Sequence, residues 1–303
     1  MFRLGAKVLI ALTVFFLSNS VAQDFDKVQI NAVKAAENIY MLEGQGGNIG
    51  LFFGHQGRFI IDDQFAPLHE KILAKVEELT GAIPENANTY VINTHFHGDH
   101  TGGNELMGQT GAVIVAHENV RKRLSVERII PFFNSRNPAM PESGLPVITF
   151  TNDLTFHLNG DSVKVIHVAP AHTDGDGIIH FTKANVIHTG DIVFTNSYPF
   201  IDIDNGGSVV GVIAATEKIL AMSDGNTKII PGHGGLCDKP IIEKYLKMLT
   251  AIYGRVSKMH AEGKTLEQIQ AAKPTAEFDN DYKGFISADS FVEIIYKDLS
   301  AKK

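Results

Sequence analysis

Residues 94–103 read THFHGDHTGG, which places His95, His97, Asp99 and His100 within six residues. Three imidazoles and a carboxylate at that density suit metal coordination and little else. A helix would scatter them around its axis, and a strand would turn the carboxylate inward. At strand spacing His95 and His97 project to the same side, so one cation can take both. Gly98 lets the chain turn, and Asp99 and His100 swing toward a second position. Neutral imidazole with carboxylate oxygen suits zinc; iron or manganese also fits such a set.

One run cannot close two coordination spheres, and the chain offers further ligands at strand ends. Residues 166–176, IHVAPAHTDGD, leave an apolar strand and present His172 before a glycine turn. Residues 186–194, VIHTGDIVF, present Asp191 after Gly190, and residues 228–235, KIIPGHGG, present His233 between two glycines. Each repeats one design: a buried strand, a glycine turn and one ligand at the strand's carboxyl end, on a loop held by a rigid element.

The order HxHxDH, lone His, GD, then PGH resembles the metallo-β-lactamase superfamily, over nearly the whole of the chain after its N-terminal segment. The resemblance implies a first metal on His95, His97 and His172, a second on Asp99, His100 and His233, and Asp191 as the bridge. It implies two zinc ions, with iron or manganese as substitutes, about 3.5–4 Å apart. A bridging hydroxide would be the nucleophile, because metal binding lowers the pKa of water from about 15.7 to near 7. Asp99 and Asp191 are then the catalytic carboxylates, with Asp99 orienting the hydroxide or relaying its proton. Many antibiotic-destroying members carry Cys or Ser near the position of Asp191. A bridging Asp is similar instead to the glyoxalase II, lactonase, phosphodiesterase and arylsulfatase branches. In the resembling family an Asp ending the strand RFII, here Asp62, orients a ligand from behind; Asp63 is the alternative holder.

The elements that must position these residues follow from pattern. Strands are expected over 39–42, 49–53, 59–61, 90–92 and 112–116, and helices over 67–79, 104–107 and 118–124. The helix over 67–79 should stop at Gly81. In the second half, strands over 154–158 and 162–168 flank Asn159–Gly160, a hairpin signal. Strands over 177–181, 186–188 and 228–230 and a helix over 208–222 follow, and about 239–303 looks mainly helical. Two comparable halves of strands and helices imply a layered α/β protein. The resemblance sharpens this to a four-layer αββα sandwich with a C-terminal helical extension, whose end packs near the site or at a subunit contact, leaving an oligomer open.

The chain has 303 residues and formal charge −7. Arg3 and Lys7, the apolar run 8–17 and small residues at Ser20 and Ala22 read as a signal peptide over 1–22. Cleavage would leave one hydrolase domain over 23–303, periplasmic or secreted and with no membrane anchor; losing Arg3 and Lys7 takes the charge from −7 to near −9. With scattered Lys and Arg and no Trp, nucleic-acid binding has little support. The single cysteine, Cys237, excludes an internal disulfide. It reads as a buried or idle thiol.

Two stretches are candidates for a substrate pocket. Residues 129–146 carry four prolines and no periodicity. They read either as a loop over the metals, with Phe132, Phe133 and Met140 as an apolar wall, or as a surface connection anchored by its Phe pair. Residues 196–203, NSYPFIDI, follow Asp191 and offer Tyr198 to a substrate oxygen or to packing. The remaining histidines read as structural or solvated, and His188, three residues before Asp191, is the nearest competitor for a ligand role.

The expected function is an exported dinuclear zinc hydrolase that cleaves a small-molecule ester, lactone or sulfate ester. Three alternatives stand beside it: a β-lactam-hydrolysing enzyme, favoured by location but not by Asp191; an oxidoreductase like the mononuclear iron persulfide dioxygenases; and a non-catalytic zinc-binding protein, which would need a damaged ligand set.

Overall fold

Alternating apolar side chains create the centre of the molecule, because a strand sends successive residues to opposite faces. The computed structural model describes residues 24–82, 84, 87–168 and 170–301; the signal peptide expected over 1–22 lies outside them. The first sheet contains β1 (Asn31–Ala36), β2 (Ile39–Glu43), β3 (Ile49–Gly54), β4 (Gly57–Ile61), β5 (Asn88–Ile92), β6 (Val113–His117) and β9 (Ile148–Phe150), in the order β1-β2-β3-β4-β5-β6-β9. Its first three pairings are antiparallel and the rest parallel. The second sheet contains β10 (Asp153–Leu158), β11 (Asp161–His167), β12 (Gly177–Phe181), β13 (Val186–His188) and β14 (Lys228–Ile230) in chain order, with only β13–β14 parallel.

The two sheets close on a shared core. Phe52, Phe59, Ile61 and Ile92 from the first meet Val163, Val165, Ile179 and Phe181 from the second. Ring pairs Phe52–Phe181 at 5.1 Å and Phe59–Phe156 at 4.9 Å cross the interface, each adding about 0.5–1.5 kcal/mol beyond area burial. The outer faces are covered by helices. Leu51, Ile60 and Val91 pack with Ile72 and Val76 of α1 (His69–Thr80). Ile178, Ile187 and Ile229 pack with residues of α5 (Val209–Met222), α6 (Lys239–Ala261) and α8 (Ala288–Ala301). This is the αββα sandwich with C-terminal helices. Among the described residues no helix is long and apolar enough to cross a membrane.

Local signals explain most boundaries. Gly81 ends α1 at φ +63, its N–H reaching Glu77 O at 2.9 Å, and Asn159 and Gly160 turn the β10–β11 hairpin at φ +50 and +76. The short helices α2 (Gly98–Thr101), α3 (Asn104–Gln109), α4 (Glu118–Leu124) and α7 (Leu266–Ala271) complete the α-helices among the described residues. Three findings depart from the sequence reading. The Ala- and Lys-containing NAVKAA forms β1 because β2 offers it a partner edge. The supposedly irregular stretch begins as a small hairpin, β7 (Arg128–Ile130) and β8 (Ser135–Asn137), around a turn in which Asn134 takes φ +48. Just past its end, β9 extends the first sheet.

Candidate metal centre

Five strands end at one place. β4 delivers Asp62, β5 the histidine run, and the loops after β11, β13 and β14 deliver His172, Asp191 and His233. The buried strands fix these ends, and the side chains fall into two groups able to hold a metal ion: His95, His97, His172 and Asp191 in one, Asp99, His100 and His233 in the other. Within each, one ligand atom per residue lies within 4.8 Å of the rest.

In the first group His97 Nδ1 stands 3.1 Å from His95 Nε2 and 2.9 Å from His172 Nε2. Nitrogens held 2.0–2.1 Å from one tetrahedral ion would stand about 3.3 Å apart, so these three already stand near the required spacing. Asp191 lies between the groups. Its Oδ2 is 3.5 Å from His172 Nε2 and 3.4 Å from His233 Nε2, while its Oδ1 is 3.0 Å from His100 Nε2. Asp99 Oδ2 stands 3.3 Å from His233 Nε2 and 3.6 Å from His100 Nε2. His100 Nε2 and Asp191 Oδ1 are buried yet make no hydrogen bond. Two orphaned polar atoms facing each other are costly, and a cation satisfies both. The donor set fits divalent metal.

Supports behind the ligands choose which ring nitrogen faces inward. His100 Nδ1 donates to Asp62 Oδ2 at 2.7 Å, and Thr94 donates to the same carboxylate through its N–H and hydroxyl, each at 2.7 Å. His172 Nδ1 donates to Phe200 O at 2.8 Å, and His97 Nε2 donates to Asp202 Oδ2 at 2.9 Å. Each leaves the other nitrogen's lone pair for the metal. Asp63, the alternative holder, instead caps Gly103 N at 2.9 Å. His188 is structural: its Nε2 donates to Asn48 O at 3.1 Å and its Nδ1 accepts from Gly190 N.

Charge is arranged accordingly. Burial holds His172 down at about 4, and burial, with His100 nearby, holds His95 well below the usual imidazole range. Burial opposes charge on the second group too, but the carboxylates prevail. Asp191, Asp99 and Asp62 raise His100 well above its ordinary value, and Asp191 and Asp99 raise His233 to about 9. Despite burial, His100 and His233 keep Asp99 ionised at about 2 and hold Asp191 well below the carboxylate range. Close packing needs glycine at two points. A Cβ on Gly232 would stand 2.0 Å from Asp191 Oδ1, and one on Gly47 2.1 Å from the His100 ring.

The groups open onto a cavity of about 640 Å³ whose lining includes His97, Asp99, Asp191, His233, Phe133 and Phe200. Of the residues expected to form the pocket, Phe133 lines it. Phe132 is not among the lining residues: its ring packs against Phe133 at 4.9 Å and Phe200 at 5.1 Å. Met140 turns away and packs on the cluster of Phe96, Val120 and Leu145. Tyr198 is a correction as well. It is buried, stacks between Tyr282 and Phe291, and donates its hydroxyl to Asp279 Oδ1 at 2.8 Å. Its place in a polar-looking loop concealed an apolar neighbourhood supplied by the C-terminal helices. Asp202 and Gly47 were missed. Nothing in local spacing links Asp202 to a histidine 105 residues away, although the loop containing it stood out.

Comparison with known proteins points to the same superfamily that the motif resembles. The family model described as "Metallo-beta-lactamase superfamily" matches residues 84–234. The chain is 30% identical over 148 residues to a hydroxyacylglutathione hydrolase of Nitrosococcus oceani, covering 48% of each protein. It is 28% identical over 174 residues to one of Polaromonas sp., covering 54% of each. It thus spans about half the length of the curated relatives it matches. Among solved structures, the DIM-1 metallo-β-lactamase aligns with TM-score 0.56 at 18% identity, over 74% of this chain and 98% of that one. The inverting sec-alkylsulfatase Pisa1 of Pseudomonas sp. aligns with TM-score 0.66 at 14% identity, over 88% of this chain and 50% of that one. These two likenesses show the fold.

Proposed function

The chain belongs to the metallo-β-lactamase superfamily, and on that premise we propose that it is an exported, dinuclear metal-dependent hydrolase of small esters, lactones or sulfate esters. The observation that carries the reading is Asp191 standing between two ligand groups, with its Oδ1 and His100 Nε2 both orphaned. His95, His97 and His172 would hold one cation and Asp99, His100 and His233 the other, with Asp191 shared. Two bound divalent cations would supply the Lewis acidity that polarises the scissile group and acidifies the attacking water.

The chain's own residues do the rest. Asp62, Asp202 and the Phe200 carbonyl hold three imidazoles in fixed tautomers, so the ligand atoms need no reorganisation. Asp99 faces the cavity with its carboxylate ionised at about 2, where it accepts a hydrogen bond from the attacking water and sets its direction. Phe133 and Phe200 give the cavity an apolar wall. The relatives named hydroxyacylglutathione hydrolase favour a thioester as a second reading. Export is supported by Arg3 and Lys7 ahead of the apolar run 8–17.

Metal analysis of the purified protein, joined to a screen of chromogenic esters, lactones, thioesters, sulfates and a cephalosporin, tests the proposal. The expected result is close to two metals per chain, mainly zinc, with turnover that a chelator abolishes and zinc restores. One tightly bound iron and no second metal would overturn the dinuclear reading.

A further inference from the structure

Two exposed aromatic rings stand in the wall of the cavity. Phe133 and Phe285 are 45% and 58% exposed, unusual for large apolar rings, and both line the same cavity. They come from distant parts of the chain. Phe133 sits at the tip of the β7–β8 hairpin, and Phe285 in the segment before α8. Their centroids are 6.5 Å apart, Phe133 lies 4.6 Å from Phe200, and Phe285 lies 5.7 Å from the His233 ring. A continuous aromatic shelf therefore leads from solvent to the ligand groups.

Both supports are built in. Asn205 Nδ2 donates to Ile129 O at 3.2 Å beneath the hairpin, and Ile286 N donates to Ser197 Oγ at 3.2 Å behind Phe285. A Cβ on Gly284 would stand 2.3 Å from Ser197 Cβ, so the segment is pressed against its neighbour. The polar groups on the rim are neutral: Gln45, Ser135 and Asn137. Among the described residues that line the cavity none is Lys or Arg. Its imidazoles, His97 and His233, belong to the ligand groups. An exposed apolar patch at the mouth of a polar site marks a contact surface. An anionic group lying on the rings of Phe133 and Phe285, remote from the ligand groups, would lose water and meet no Lys or Arg among the residues that line the cavity.

We propose that the substrate is a neutral ester or lactone whose alkyl or aryl portion, remote from the scissile bond, lies on the Phe133–Phe200–Phe285 shelf, and that a remote carboxylate is selected against. This rests on the hydrolase reading and narrows it. It separates the chain's substrate from glutathione thioesters, which carry carboxylates away from the bond that breaks.

The test uses the zinc-loaded full chain and two ester probes of equal acyl length, 4-nitrophenyl hexanoate and mono-4-nitrophenyl adipate, which differ by a terminal carboxylate. The neutral ester is expected to be favoured in kcat/KM by about tenfold or more. The Phe133→Ala/Phe285→Ala variant should pull that ratio toward one with metal content unchanged. Binding of hexanohydroxamate and adipic monohydroxamate, measured by calorimetry, gives a second reading free of turnover, with the same order expected. Equal or reversed preference in either pair overturns the inference. Discrimination between the hydroxamates with no turnover of any ester, lactone, thioester or sulfate would leave the shelf standing and remove the hydrolase.

Discussion

Replacing Asp62 by Asn tests how far the centre depends on what lies behind its ligands. Asp62 is fully buried at φ +64, a conformation that Asn tolerates as Asp does, so the change adds no backbone strain. The carboxylate takes three donors: His100 Nδ1 and Thr94 Oγ1 on Oδ2, and Thr94 N on Oδ1. An amide has one acceptor oxygen, and its NH2 must face either the Thr94 N–H or His100 Nδ1. The first arrangement opposes donor to donor. The second drives the imidazole to the tautomer with its proton on Nε2, the atom that faces Asp191 and Asp99. Loss of such an orienting carboxylate lowers metal affinity by about 10–100-fold, or about 1.4–2.7 kcal/mol. The metal-free fold should lose about 1.5–3 kcal/mol with its charge-assisted hydrogen bonds, a loss a domain of about 5–15 kcal/mol survives. Zinc competition against a chromogenic chelator should show weakened binding of one equivalent, the one shared by Asp99, His100 and His233. Unchanged affinity for both equivalents beside a lowered melting temperature would make Asp62 a scaffold residue only.

Asp191→Ala should cut turnover by at least about 100-fold while far-UV circular dichroism stays native; near-normal turnover and metal content would show that Asp191 is no bridge. Asp202→Ala frees His97 Nε2, and dialysis should then strip the zinc held by His95, His97 and His172 before the other; loss of both at the wild-type rate would contradict that. Saturating zinc at about 1,000 Kd stabilises by about 4 kcal/mol, so chelation should lower the melting temperature by on the order of 10 °C, and a flat response would mean the ligands are not preassembled. Cys237 is 5% exposed and burial, with Asp238 beside it, pushes its thiol up to about 12. Thiol reagents at pH 8 should label the native chain more than about 100-fold slower than the unfolded one, and rapid native labelling would place the thiol outside the core.

The candidate ligand cluster was legible because metal chemistry restricts residue types at short range. HxHxDH is local, and each remaining candidate ligand follows a buried strand, Asp191 and His233 directly after a glycine and His172 three residues before one. The sandwich was legible for a related reason: β11, β12 and β14 carry their own apolar pattern. What escaped was set by tertiary partners. β1 has no strand pattern of its own and exists by pairing with β2. Tyr198 looked available because the residues that bury it, Tyr282 and Phe291, come more than eighty positions later. Phe285 passed unnoticed in the C-terminal segment, where no motif marks a residue that reaches the mouth of a distant site.

The same long-range logic couples the first candidate ligand group to the proposed aromatic shelf. Asp202 holds His97 and is itself held by Asn205 Nδ2 at 2.8 Å; Asn205 also donates to Ile129 O of the hairpin and accepts from Arg123 Nη1 at 2.9 Å. Arg123 is fixed in turn by both oxygens of Asp174, each at 2.7 Å, two residues after His172. One polar network thus sets a ligand's tautomer, the seat of Phe133 and the loop that delivers a second ligand. Partly buried charge-assisted bonds of this kind act as a unit. A substitution that moves the hairpin is therefore expected to disturb the Asn205–Asp202–His97 chain as well, so on the proposed function a change of substrate choice made there should come with a change in zinc affinity.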